Sequence, residues 1–237
     1  MSLLNKYGLK SLLTKNSKMK QSGGTDIVVY NWTIPAFRAA DGTKTCPNAG
    51  VCAAGCYARS GAYRWSNVSR VHNAKLDASR DLGFAEEMIK EIKRLQKNAS
   101  KKNKQLYIRI HDAGDFYSLD YTLTWLRIMR ALPDVVFYAY TKQVEMFKNL
   151  KTKHGYNLPE NFKLIFSFGG KQDDKIDKSV DRHSAVFETL DALKAAGYVD
   201  ASSDDIKALG DNNRIGLVYH GAKSYRNTAW KKAEVAS

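Results

Sequence analysis

Five short apolar runs, each closed by turn residues and separated by longer stretches, leave this chain few folds to choose from. They read Ile27-Val28-Val29-Tyr30-Asn31-Trp32, Leu106-Tyr107-Ile108-Arg109-Ile110, Val135-Val136-Phe137-Tyr138-Ala139-Tyr140, Lys163-Leu164-Ile165-Phe166-Ser167-Phe168 and Ile215-Gly216-Leu217-Val218-Tyr219. Runs of this length, rich in β-branched and aromatic residues, are strand signals. Helical patterns lie between them at about 68–97, 118–131, 143–153 and 180–196. The last places Val180, Phe187, Leu190 and Leu193 at helical spacing and stops at Gly197. Strands alternating with helices build βαβ units, so the expected fold is α/β with a mainly parallel sheet. Residues 1–24 read separately, as a basic N-terminal arm carrying Lys6, Lys10, Lys15, Lys18 and Lys20 and ending in Ser22-Gly23-Gly24. Its leucines form a short amphipathic pattern. Residues 25–237 are then a single domain, long enough to bury a sizeable core.

In a parallel α/β sheet, ligands bind beyond the carboxyl ends of the strands. Each strand here delivers polar residues to that rim. The second ends in His111-Asp112-Ala113-Gly114-Asp115, the third in Tyr140-Thr141-Lys142, the fourth in Phe168-Gly169-Gly170-Lys171 and the last in Tyr219-His220-Gly221. His111, Asp112 and Asp115 are the candidate catalytic groups, able to move protons or bind an amine, hydroxyl or metal. Gly114, Lys142, Gly169 and His220 are the candidate cofactor-binding positions. Asp115 or Ser118 is also expected to cap the helix that follows. His72, His154 and His183 fall in helical stretches or at their ends and read as ordinary surface or core residues.

The first strand leads into the densest chemistry. All three cysteines, Cys46, Cys52 and Cys56, fall in a loop rich in Gly and Ala that opens with Pro47. An odd, local cluster argues against a disulfide framework. Small residues let a backbone wrap closely around a bulky object and point its amides at sulfur. If the second half of the loop is helical, Cys52 and Cys56 face the same way. Structural zinc takes four protein ligands, usually with closer cysteine pairs, though zinc with a remote histidine stays open. A [4Fe–4S] cluster normally takes four thiolates, so three would leave one iron for a non-cysteine ligand.

Taken together, Trp32-Thr33-Ile34-Pro35, Thr45-Cys46-Pro47, Cys56-Tyr57-Ala58 and Arg109-Ile110-His111-Asp112-Ala113-Gly114-Asp115-Phe116-Tyr117-Ser118 resemble the phage gene-product-88-like proteins. Tyr121, Trp125, Pro133 and Phe137-Tyr138-Ala139-Tyr140-Thr141-Lys142 extend the likeness. It implies a bacteriophage protein, placed in the host cytoplasm, with a three-cysteine iron–sulfur site. A wider architectural likeness is to the radical S-adenosylmethionine enzymes, which implies a partial (β/α) barrel and S-adenosylmethionine as a second cofactor. That family spaces its cysteines Cys-x3-Cys-x2-Cys and carries Gly-Gly-Glu after its second strand. Here the spacing is Cys-x5-Cys-x3-Cys and the residues are Ala113-Gly114-Asp115.

Charge supplies the last constraint: 38 Lys and Arg against 24 Asp and Glu leave +14. Such a surplus favours a polyanionic partner, tRNA or DNA, without naming one. The clearest patches are Lys90, Lys93, Arg94, Lys97, Lys101, Lys102 and Lys104, and Lys142 with Lys148, Lys151 and Lys153, with Arg214 and Lys223 toward the C-terminus. Tyr57, Tyr63 and Trp65, just after the cysteines, either stack on a base or pack the loop against the sheet. No apolar run reaches the length of a membrane span, and no secretory signal is evident, so a cytoplasmic protein is expected. Three functions stay open: a cluster enzyme with one open iron, a radical S-adenosylmethionine enzyme, and a non-enzymatic nucleic-acid-binding or host-interaction protein with a structural cluster or zinc.

Overall fold

Every expected strand takes its place in one sheet. The computed structural model describes residues 1–22 and 24–219. Its strands are β1 (Ile27–Trp32), β2 (Gln105–Ile110), β3 (Val136–Thr141), β4 (Phe162–Ser167), β5 (His183–Phe187), β6 (Val199–Asp200) and β7 (Arg214–Val218). They lie in the order β1-β2-β3-β4-β5-β7-β6, and every neighbouring pair is parallel. The sheet is a half-barrel whose edges, β1 and β6, do not meet. Because all strands run the same way, their carboxyl ends form one rim.

Side chains alternate between the two faces of each strand. Trp32 of β1, in register with Ile110 of β2 and Ala139 of β3, faces the helices. There α3 (Ser66–Ser79), α4 (Phe84–Ser100), α5 (Leu119–Arg130) and α6 (Val144–Thr152) follow one another along the chain. Trp32, Phe84 and Trp125 interlock with ring centroids 5.2, 6.0 and 5.8 Å apart, all fully buried. Edge-to-face aromatic packing of this kind adds about 0.5–1.5 kcal/mol per pair beyond the area buried.

The concave face is filled from both ends of the chain. Short helices α1 (Leu3–Lys6) and α2 (Ser17–Gln21) belong to the stretch expected as a basic arm. Instead of lying apart, Leu3, Leu9, Leu12 and Leu13 join the main core, and Thr14 bridges to Asn31 of β1. Met19 packs on Val29 and Tyr138 inside the half-barrel. Beside it, Lys18 and Arg109 both pair with the fully buried Asp205, each at 2.6 Å, and the Tyr138 hydroxyl donates to the same carboxylate at 3.0 Å. Burial alone would raise the Asp205 pKa, but Arg109 and Lys18 hold it below the usual carboxylate value.

Two expectations about helices fail. The pattern at 68–97 is two helices, α3 and α4, broken where the Asp81 carboxylate accepts from the Gly83 amide at 2.8 Å. The pattern at 180–196 hides β5 ahead of a shorter helix, α7 (Leu190–Ala195). His183–Phe187 is sandwiched between β4 and β7, and that pairing overrides a coincidental helical spacing. Strand β6 has only two residues and left no periodic signal. No helix among the described residues is long and apolar enough to cross a membrane.

Candidate functional site

The cysteine loop roofs the rim of the half-barrel, over a cavity of about 210 Å³. Backbone bonds fix the roof. The amides of Gly50 and Cys52 both donate to the Gly169 carbonyl at 3.2 Å, and the Asp115 amide donates to the Thr45 carbonyl at 2.9 Å. Gly50 has to be glycine, because a Cβ there would stand 2.7 Å from the Gly170 carbonyl oxygen. The loop therefore packs backbone against backbone on the turn after β4. Its second half is not an α-helix, so the condition for Cys52 and Cys56 to face the same way is not met. Cys52 sits in a one-turn 3-10 segment, Val51–Ala53, and Cys56 is extended just before another, Tyr57–Arg59.

All three cysteines are free, partly exposed and on the wall of that cavity. Burial pushes the Cys46 thiol up to about 12, with Asp115 adding to the shift, although the Phe37 amide donates to its sulfur at 3.3 Å. Burial likewise raises Cys56. Lys142 is the nearby cation: its ammonium donates to Ser167 Oγ at 3.0 Å. Burial works against its charge, but Cys52, Asp115 and Cys46 keep it protonated above the ordinary lysine value. It belongs to the cavity and not to the surface patch expected with Lys148, Lys151 and Lys153. Among the described residues, no three His, Cys, Asp or Glu side chains converge as they would around one metal ion.

The segment after β2 supplies the cavity floor. The Asp115 carboxylate accepts from the Phe116 amide at 2.8 Å, Thr141 Oγ1 at 2.6 Å and the Lys142 amide at 3.0 Å. It thereby ties the ends of β2 and β3 together. Burial raises its pKa in spite of these bonds. Asp112 accepts from Thr33 Oγ1, from Asn16 Nδ2 at 2.9 Å and from the Tyr63 hydroxyl at 3.2 Å, while the Tyr57 hydroxyl donates to its carbonyl. Both carboxylates therefore anchor loops. Gly114 lies at φ 84°, where an added Cβ would stand 2.3 Å from Ile34 Cγ1. Gly169 holds the roof through its carbonyl, and its amide donates to Asp173 at 2.8 Å. Ser118, and not Asp115, caps α5, accepting from the Tyr121 amide at 3.2 Å. His220 lies outside the described residues.

His111 differs from its neighbours. It occupies the left-handed region at φ 66° and is 3% exposed. Trp32 Nε1 donates to the Tyr121 hydroxyl at 2.8 Å, and that hydroxyl lies 2.8 Å from His111 Nε2. An indole only donates, so the tyrosine proton goes to Nε2 and the neutral ring carries its own proton on Nδ1. That Nδ1 is buried without a protein partner. Burial, and then Arg109, lower the His111 pKa to about 3, so the ring is neutral at physiological pH. Arg109 Nε and the Tyr140 hydroxyl are also buried and unpartnered, and all three residues line the cavity. Arg109 and Tyr140 were not singled out from the sequence. The signal was there: an arginine inside the apolar run Leu-Tyr-Ile-Arg-Ile has to be matched by something in the fold.

The sequence profile of the family described as Gene product 88 matches residues 3–233. This chain belongs to the gene product 88 family. The Gene 88 protein of Mycobacterium phage D29 is 30% identical over 202 residues, covering 79% of this chain and 83% of that protein. The Gene 88 protein of Mycobacterium phage L5 is 35% identical over 102 residues, covering 41% of this chain and 43% of that one. The family match places the chain among bacteriophage gene products and spans the cysteine roof, the floor after β2 and the N-terminal helices alike. No solved structure matches the chain.

Proposed function

We propose that Cys46, Cys52 and Cys56 hold a [4Fe–4S] cluster, and that the cavity beside them receives the ligand of the iron no cysteine reaches. The observation that carries this reading is the shared cavity, which continues past the three free thiols to Arg109, Tyr140 and Tyr219. A single ion needs its ligands converging to about 2.0–2.3 Å of one point. A cubane takes each thiolate at a different iron and suits sulfurs spread around a wall. The donor set fits in a second way. Thiols held protonated by burial need a cation to become thiolates, and metal binding releases those protons.

When bound, such a cluster supplies a Lewis-acidic iron or one-electron chemistry. The protein's own groups then have definite tasks. The Phe37 amide and the Lys142 ammonium stabilise negative sulfur. Arg109 Nε–H, His111 Nδ1–H and the Tyr140 hydroxyl offer donors to acceptor atoms of a ligand. Asp115 fixes the Lys142 backbone, and Asp112 fixes the tyrosines under the roof. A second reading, S-adenosylmethionine as that ligand, is favoured by the position of the thiol loop over the rim of a parallel half-barrel, between β1 and Gly114-Asp115.

Anaerobic reconstitution with iron and sulfide tests the first reading. Brown protein holding about four irons is expected, lost in each of Cys46→Ala, Cys52→Ala and Cys56→Ala. Colourless protein with one zinc, or iron retained in all three variants, overturns it. Adding S-adenosylmethionine to reduced protein tests the second; an unchanged EPR signal excludes it.

A further inference from the structure

Tyr57, Tyr63 and Trp65 follow the cysteines within a few residues of one another, and the fold treats them differently. Tyr57 and Tyr63 pack edge-to-face, with ring centroids 5.9 Å apart, and both hydroxyls are spent on Asp112. They hold the roof to the floor. Trp65 makes no such contact and is 62% exposed. Of the tryptophans in the described residues, Trp32 and Trp125 are wholly buried. This indole, two residues beyond Tyr63, stacks on no other ring among the described residues and stands largely open to solvent.

The stretch of chain around it carries one sign of charge. Positions 42–76 contain no Asp or Glu but include Lys44, Arg59, Arg64, Arg70 and Lys75. Arg59, Arg64 and Arg70 are exposed. None of them pairs with an acid among the described residues. Arg59 lies over the Phe37 ring at 5.5 Å and bonds the Ala53 carbonyl, which sets it at the edge of the cysteine loop. Helix α3 begins just after Trp65, with no side chain capping its first turn and no acid in it. An exposed aromatic face among unpaired arginines is what a single-stranded nucleic acid requires. Bases of any sequence stack on the ring, and the arginines meet the phosphates. A duplex keeps its bases stacked inside and has no use for the indole.

We propose that Trp65, with Arg59, Arg64 and Arg70, is a binding site for single-stranded nucleic acid on the surface that follows the cysteine loop. The site is independent of whatever the thiols hold. The larger lysine patch on α4, through Lys93, Lys97 and Lys101, lacks an aromatic partner and plays no part in it.

Fluorescence anisotropy with a labelled mixed-sequence 12-mer, as single-stranded DNA and RNA and as duplex, tests this on the full chain. The assay is run on metal-free and on reconstituted protein, so that failure of the cluster reading leaves it unaffected. Single strands are expected to bind more tightly than duplex and to quench tryptophan fluorescence. Trp65→Ala should weaken single-strand binding about tenfold, as loss of one stacked base implies, and remove the quench. Arg64→Glu with Arg70→Glu should flatten the salt dependence. Lys93→Glu with Lys97→Glu and Lys101→Glu should leave single-strand affinity within about twofold, which also controls for folding. Equal affinity of wild type and Trp65→Ala overturns the proposal. So does duplex bound as tightly as single strand, loss of binding in the α4 variant alone, or binding only to vesicles of anionic lipid.

Discussion

Acid should weaken this protein through His111 in a way that one substitution can isolate. The imidazole is held neutral, with its pKa lowered from 6.5 to about 3 by burial and by Arg109. A group with a depressed folded pKa contributes stability above its unfolded value, and that contribution is lost as the pH falls. Between 6.5 and about 3 the unfolded chain takes up a proton that the native ring refuses. Linkage over that interval gives a loss of about 2 kcal/mol between pH 7.5 and pH 5.0, and nearly 5 kcal/mol if followed to the bottom. At pH 5.0 the native ring is neutral for any folded value below about 4, so the 2 kcal/mol figure is set mainly by the unfolded histidine. His111→Asn is the informative variant, since asparagine tolerates the left-handed backbone at φ 66°. It loses the bond to Tyr121 and is less stable at every pH, but it has no ring to protonate. His72 and His183, also lowered by burial, add the same slope to both proteins and cancel in the difference. Urea unfolding followed by circular dichroism at pH 7.5, 6.5, 5.5 and 5.0 measures both slopes. Parallel slopes for wild type and His111→Asn would refute the reasoning.

Removing the carboxylate shared by Lys18 and Arg109, as Asp205→Ala, leaves a largely buried arginine and a partly exposed lysine without their acid and should destabilise by about 3 kcal/mol in chemical denaturation; a change under 1 kcal/mol would mean the ion trio is solvated. Gly114→Ala combines a positive φ with a Cβ 2.3 Å from Ile34, so the melting temperature should fall by several degrees, and an unchanged value would contradict the packing. Lys142→Met removes the cation beside Cys52 and Cys46, and metal-free protein should then react several-fold more slowly with iodoacetamide at pH 8. Equal rates would show that the ammonium does not act on the thiols.

Five of the seven strands were legible because each is a short apolar run closed by turn or polar residues, and the parallel order then places His111, Lys142 and Gly169 on one rim. The cysteine cavity was legible for the same reason, as the loop follows the first strand. What the sequence hid is set by distant partners. His183–Phe187 reads as helix until β4 and β7 flank it. Asp112 and Asp115 look like proton carriers until Thr33, Asn16, Tyr63 and Thr141 are found bonded to them. Arg109 looks like an ordinary strand residue until Asp205 arrives from the far end of the chain. Each of these depends on a group more than fifteen residues away, which no local period encodes.

The plug inside the half-barrel also has a temporal side. Lys18 reaches the Ala201 carbonyl, and Ser22 meets the Asp205 amide, each across 183 positions of chain. On a ribosome α2 emerges early, but Lys18 has no Asp205 to pair with until almost everything else has been made. Contacts that span the chain slow folding, because loop closure has to precede their reward. Removing the first twenty residues to tidy an expression clone would therefore strip Met19 from Val29 and Tyr138 and leave Asp205 without Lys18.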